Sequence, residues 1–270
     1  MRNAWMILIF LLSPYGCVFA QSNVHNPSFM RLGLVEHHGT SARVLANAPR
    51  PVLQAMRALE REYGWAIDYE DPLYYSRFDL KDDTDPDWRA ANPNSKGVVR
   101  VAGGAFQSEF AEPSSKTSSD SEEVVLRKVV DDYNASANPG KFVVSKESEG
   151  RFAIIGVKSK DDVGVSQPKE PILDTRITIS SETRTGQATL NLILQTLSDV
   201  THQQVVDGSF SANNLWLTSE VKVGGQNMTA RSLLVNTIAQ LRTSSVLVWT
   251  LFFDPDSGMN VVVISPAGTE

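Results

Sequence analysis

Apolar residues at Val52, Ala55, Met56, Leu59 and Tyr63 fall at the spacing of one helix face. Pro51 suits the first turn of that helix, where its missing N–H has no intrahelical partner to lose. Gly64 fits a left-handed stop. Trp65, Ile67 and Tyr69 then alternate with Ala66, Asp68 and Glu70, the period of a half-buried strand that ends at Pro72. Residues 76–96 are acidic and broken by two prolines, and read as an inserted loop. Val98-Val99-Arg100-Val101 spells a short strand running into Gly103-Gly104. Ser119-Asp120-Ser121-Glu122 has the spacing of a capping box and opens a second helix, with Leu126, Val129, Val130 and Tyr133 on its apolar face. Lys141–Ser145 and Arg151–Val157 form a hairpin across residues 147–150.

Beyond Lys158 the chain turns polar, and residues 159–170 read as a linker. The same order then returns. Ile177 and Ile179 mark a strand, and Leu190, Ile193, Leu194 and Leu197 mark a helix. Glu220 to Gly225 (EVKVGG) echoes the earlier VVRVAGG. Thr229 is placed to cap a helix bearing Leu234, Ile238 and Leu241. Residues 246–253 and 259–264 close the chain as a hairpin around Asp254-Pro255-Asp256-Ser257-Gly258, whose residues favour a turn. The expected fold is α+β: two similar units, residues 41–158 and 171–266, each reading strand-helix-strand-strand-helix-strand-strand with two helices packed on small mixed sheets. Both faces of the last hairpin are apolar, so its second face needs a cover from the other unit or from a partner.

This arrangement resembles the short amino-terminal domain shared by secretins and TonB-dependent receptors, the STN-like domain. The likeness is carried by PVLQAMRALEREYGW, AIDYEDP, the VxV strand with glycine, the second helix and the terminal hairpin. Residues 49–72, 98–104 and 121–157 match in order, and residues 185–264 match again. Its motifs are structural, and the YEDP and DDYNASANPGKF stretches are also similar to uncharacterised secreted bacterial proteins of the same two-unit plan. The resemblance implies a periplasmic docking module and brings no catalytic residue with it. No barrel or pore sequence follows, so a transport or gating role is not expected.

The amino end changes the picture of where such a protein works. Arg2 precedes the apolar run Ala4–Leu12, and Val18-Phe19-Ala20 sets a cut before Gln21, the layout of a secretory leader over residues 1–20. The run is about half of the ~20 residues a membrane span needs. An uncleaved anchor and lipidation at Cys17 are the alternatives. Cys17 is the only cysteine, so a cleaved chain has no thiol, disulfide or cysteine metal site. Residues 21–40 show no sustained periodicity and read as a flexible entry segment. Loss of Arg2 leaves 24 basic against 31 acidic residues. That balance disfavours nucleic acid, which demands a basic face, and no later segment is apolar enough to span a membrane. The expected address is the periplasm or the exterior.

Candidate chemistry is sparse, and neither cofactor nor metal is expected. His37-His38 beside Glu36 lacks further ligands at metal spacing, so a solvated pair is preferred. Asp83, Asp85 and Asp87 alternate as in a calcium loop, but Trp88 and Asn94 stand where glycine and glutamate are needed. His202 with Asp199 and Ser209 has no nucleophile-elbow motif around it. Glu70 and Asp71 are adjacent, and neighbours on a strand point to opposite faces. The expectation is a non-enzymatic envelope protein that binds another envelope protein through a sheet edge or through aromatics: Tyr74, Tyr75, Phe78, Trp88, Trp249 and Phe252. A glycan-binding protein using the aromatics around residues 69–88 is the alternative, and a hydrolase built on Glu70, Asp71 and His202 comes third.

Overall fold

A computed structural model describes residues 33–113, 119–209 and 215–269. The leader, Cys17 and His25 lie outside the described residues. The described residues form one compact unit.

Its architecture is α+β, with five helices and fourteen strands among the described residues. The first half runs β1 (Leu34–His38), β2 (Ser41–Ala46), α1 (Pro51–Tyr63), β3 (Ala66–Glu70), β4 (Leu80–Asp82), α2 (Pro86–Ala91), β5 (Val99–Val101), β6 (Phe106–Ala111), α3 (Ser119–Ala135), β7 (Lys141–Ser148) and β8 (Arg151–Lys160). The second half runs β9 (Ser166–Pro168), β10 (Arg176–Thr185), α4 (Gly186–Thr201), β11 (Val205–Asp207), β12 (Glu220–Thr229), α5 (Ala230–Gln240), β13 (Leu247–Asp254) and β14 (Met259–Pro266).

The halves repeat one pairing scheme. β2 pairs antiparallel with β6, as β10 does with β12. β3 runs parallel to β8, as β11 does to β14. β7 and β8 form a hairpin, as do β13 and β14. In each half the two long helices, α1 and α3 or α4 and α5, bury their apolar stripes against these sheets. One core gathers Met56, Leu59, Tyr69, Leu126 and Phe152, and the other gathers Leu190, Leu194, Leu234, Trp249 and Ile264. The halves meet where β3 pairs in parallel with β13, giving a sheet in the order β11-β14-β13-β3-β8-β7. β3 is therefore central, and all five of its residues are buried. The alternation read there as a half-buried strand belongs to a strand covered on both sides, because each half supplies a face.

Local signals held where they were strong. Pro51 starts α1, and Gly64 caps it at φ 75° with its N–H on Glu60 O. Thr229 caps α5 through its hydroxyl as expected, and Thr185, which the sequence reading did not single out, caps α4 in the same way. Other expectations changed. The segment read as flexible contains β1, tied along β2 and anchored where Arg61 donates to Gly33 O. VVRVAGG is not the counterpart of EVKVGG: β5 pairs with β4 inside the insertion, and β6 is the strand equivalent to β12. The insertion is not a plain loop, since it holds β4 and α2. The linker is shortened, because β8 extends to Lys160 and β9 folds back on it. The second face of β13 is covered within the chain, where Thr250 is buried beneath the Arg57 guanidinium of α1.

Candidate functional site

The six aromatic residues expected to form an interaction surface do not share one. Tyr74 and Trp249 are buried, at 1% and 0% exposure, so neither reaches a partner. Tyr74 belongs to a small cluster with Val101 and Phe253 that seats the insertion. Trp249 lies in the second core because β13 is an interior strand. Tyr75, Phe78 and Trp88 are exposed. Tyr75 packs edge-on against Phe253, and Arg50 lies over the half-buried Phe252. The Phe78 ring lies beside Gly164, and the Arg77 guanidinium lies over the ring. The aspartates of the insertion are used locally: Asp85 caps α2 at Trp88 N, and Asp83 pairs with Lys81 and Arg100. Among the described residues no group of three or more His, Cys, Asp or Glu could hold a metal ion.

The buried ionic groups gather at the joint between the halves. On β3, Asp68 accepts from Arg151 Nε and Nη2 at 2.7 Å each and from Trp249 N at 2.9 Å. Glu70 accepts from Arg231 Nη2 at 2.7 Å and Leu173 N at 3.0 Å. Asp71 accepts from Arg50 Nε at 2.6 Å, Tyr69 OH at 2.5 Å and Phe253 N at 3.1 Å. Alternation sends Glu70 toward Leu173 and Arg231 of the second half and Tyr69 into the first core, as strand geometry requires. The arginines answer with bonds of their own, Arg151 to Leu247 O and Arg50 to Phe253 O. Burial pushes Asp68 up to about 7 against the pull of Arg151, and Glu70 up to about 7 against that of Arg231. These carboxylates extend a β3–β13 pairing that covers only two residue pairs. His202 sits apart from them as the left-handed cap of α4, at φ 55°. Ser209 is bonded to Ile264 N, and Asp199 to Gln195. Glu70 and Asp71 are thus bonded across the joint, and His202 lies apart from them at the end of α4.

Sheet edges form a second system. An unpaired edge offers a row of N–H and C=O groups that another strand can join. On β7, the Asn134 amide from α3 both accepts from and donates to the Phe142 backbone. On β11, Ser198 of α4 does the same at Val205. On β12, Gln240 of α5 does so at Lys222. β10 is interrupted by two register shifts, and Arg184 donates to Ser180 O there. β6 differs. Glu112 N donates to Thr40 O, so by alternation Phe106, Ser108 and Phe110 bond to β2. Gln107, Glu109 and Ala111 then direct their backbone groups outward, with no partner among the described residues. Beside this edge runs an open groove of about 550 Å³, with Phe110 and Ala111 on one wall and Val124, Val125 and Lys128 of α3 on the other. Val124 is 69% exposed there. No periodicity argument could single out this edge, because the alternation of Phe106–Ala111 says which side chains share a face and not which strand lies alongside.

No protein-family model, curated protein or solved structure matched the chain.

Proposed function

We propose that this is an exported envelope protein that acts as a non-catalytic protein–protein docking module, taking an extended segment of its partner as an added strand on β6. The observation that carries this reading is the contrast between edges. β7, β11 and β12 each have one outward backbone position taken up by a polar side chain from an adjoining helix, whereas the outward positions of β6 have none among the described residues and lie beside an apolar groove. In strand addition the main-chain bonds supply affinity and alternate side chains enter the groove. The groove accepts an aliphatic residue against Val124 and Phe110, while Lys128 and Glu109 border it. The repeated strand-helix-strand-strand-helix-strand-strand order supports kinship with STN-like docking domains. The leader pattern of residues 1–20 supports a periplasmic or secreted address. That the buried Asp68, Glu70 and Asp71 are each bonded to the second half supports a structural rather than a chemical use for them.

The test uses a photo-crosslinking residue at Gln107 of the full chain in envelope extract, with the same residue at Lys222 on the closed edge as control. Adducts are expected from position 107 alone, and Ala111→Pro abolishes them. That substitution removes an outward N–H and leaves the β2 ladder intact. Equal adducts from both positions, or none from either, would reject docking on β6. A second reading, glycan binding, draws on the exposed Tyr75, Phe78 and Trp88. Tryptophan fluorescence unmoved by a panel of cell-wall and plant polysaccharides would retire it.

A further inference from the structure

The wall of the groove formed by α3 stands on an unusual foundation. Glu122 lies in the first turn of α3, two residues before Val124, and is 4% exposed. One of its carboxylate oxygens, Oε1, is buried without a hydrogen-bond partner. The facing hairpin of β7 and β8 brings Lys146 and Glu149 near it, but Lys146 Nζ is held by Glu149 at 3.1 Å and lies over the Phe152 ring. On α3 itself, Glu123 is paired with Arg127 and Lys128 with Asp132. A carboxylate placed this way is tolerated in its neutral form and opposed in its charged form, since a buried charge needs a partner.

We propose that Glu122 is a proton-operated latch that holds the first turn of α3 against the β7–β8 hairpin when neutral and releases it when ionised. The consequence for the groove rests on the docking reading above: with the turn released, Val124 and Val125 leave the wall, so the edge of β6 is best formed on the acidic side of neutrality. Burial pushes Glu122 up to about 7, with Lys146 pulling it down and Glu149 pushing it further up. The sign follows from that direction. The latched state holds its proton more tightly than the released state, whose carboxyl titrates near 4.5. Latching is therefore complete below that value and is lost as pH rises through about 7.

Hydrogen exchange of the amides of residues 124–127 tests this on the full chain without any partner, after correction for intrinsic exchange. In the wild type the opening constant is expected to rise roughly 40-fold between pH 5 and pH 7 and to level off above pH 8, as a single group titrating between about 4.5 and 7 requires. Glu122→Gln should flatten that rise while α4 amides stay unchanged. Glu122→Met, neutral and of similar length, checks that the effect is one of charge. A wild-type opening constant that does not change with pH, or an equal slope in the variants, overturns the latch. Because no ligand enters the measurement, such a failure is separable from failure of the crosslinking test.

Discussion

Replacing Arg151 with methionine probes the joint most directly. Methionine fills the space of the arginine stem but withdraws both bonds to Asp68 and the bond to Leu247 O. Asp68 is fully buried, and only the Trp249 N–H would remain to it. Removing one partner of a buried ion pair costs about 3–5 kcal/mol, a large fraction of the ~5–15 kcal/mol that keeps a domain folded. The cost should depend on pH. At pH 8 the stranded carboxylate must either stay charged without a partner or take up a proton. At pH 5, below its already raised value of about 7, it is neutral, and the loss should shrink to about 1–2 kcal/mol, that of neutral hydrogen bonds. Urea unfolding followed by tryptophan fluorescence at both pH values measures this, with Trp249 reporting on the joint itself. The transition should stay single, because the halves share a sheet. A loss below about 1 kcal/mol at pH 8, or the same loss at pH 5, would refute the view that Arg151 and Asp68, through Leu247 O and Trp249 N of β13, fasten the halves together.

Further outcomes follow from the same geometry. Asp68 and Glu70 are held at about 7, above their unfolded values of 3.8 and 4.5. The stability they confer is complete below about pH 4 and declines as pH rises through 7. The Tm of the wild type should fall between pH 5 and pH 8, and a rise would show that the arginines dominate burial. Gln240→Ala should unblock β12 at Lys222, where the amide makes two bonds of 2.9 and 3.2 Å. Self-association is then expected in analytical ultracentrifugation with about 1–2 kcal/mol lost in stability. A variant that stays monomeric over a wide concentration range would remove edge closure as the role of Gln240.

The legible parts of the fold were those specified over a few residues. α1 was readable because its apolar stripe, Pro51 and Gly64 all act within four turns of chain. α5 and its Thr229 cap were readable for the same reason, as was the closing hairpin around Gly258, which adopts φ 73°. Where a motif had no such local anchor, reading failed. Val99-Arg100-Val101 and Phe106–Ala111 both alternate, and alternation states which side chains share a face without naming the strand alongside. The insertion's strand was therefore taken for the repeat's strand.

By itself the sequence determined the four long helices and the duplicated strand–helix alternation around them, since period and capping are properties of the chain near each residue. Tertiary structure alone decided that β3 is interior, because Arg151 and Arg231 reach its carboxylates from 83 and 161 residues away. It alone decided which edges are shut, because Asn134, Ser198 and Gln240 act only once their helices have docked. Charge burial and edge pairing are set by what folds alongside, and neither distance is written in the spacing of neighbours.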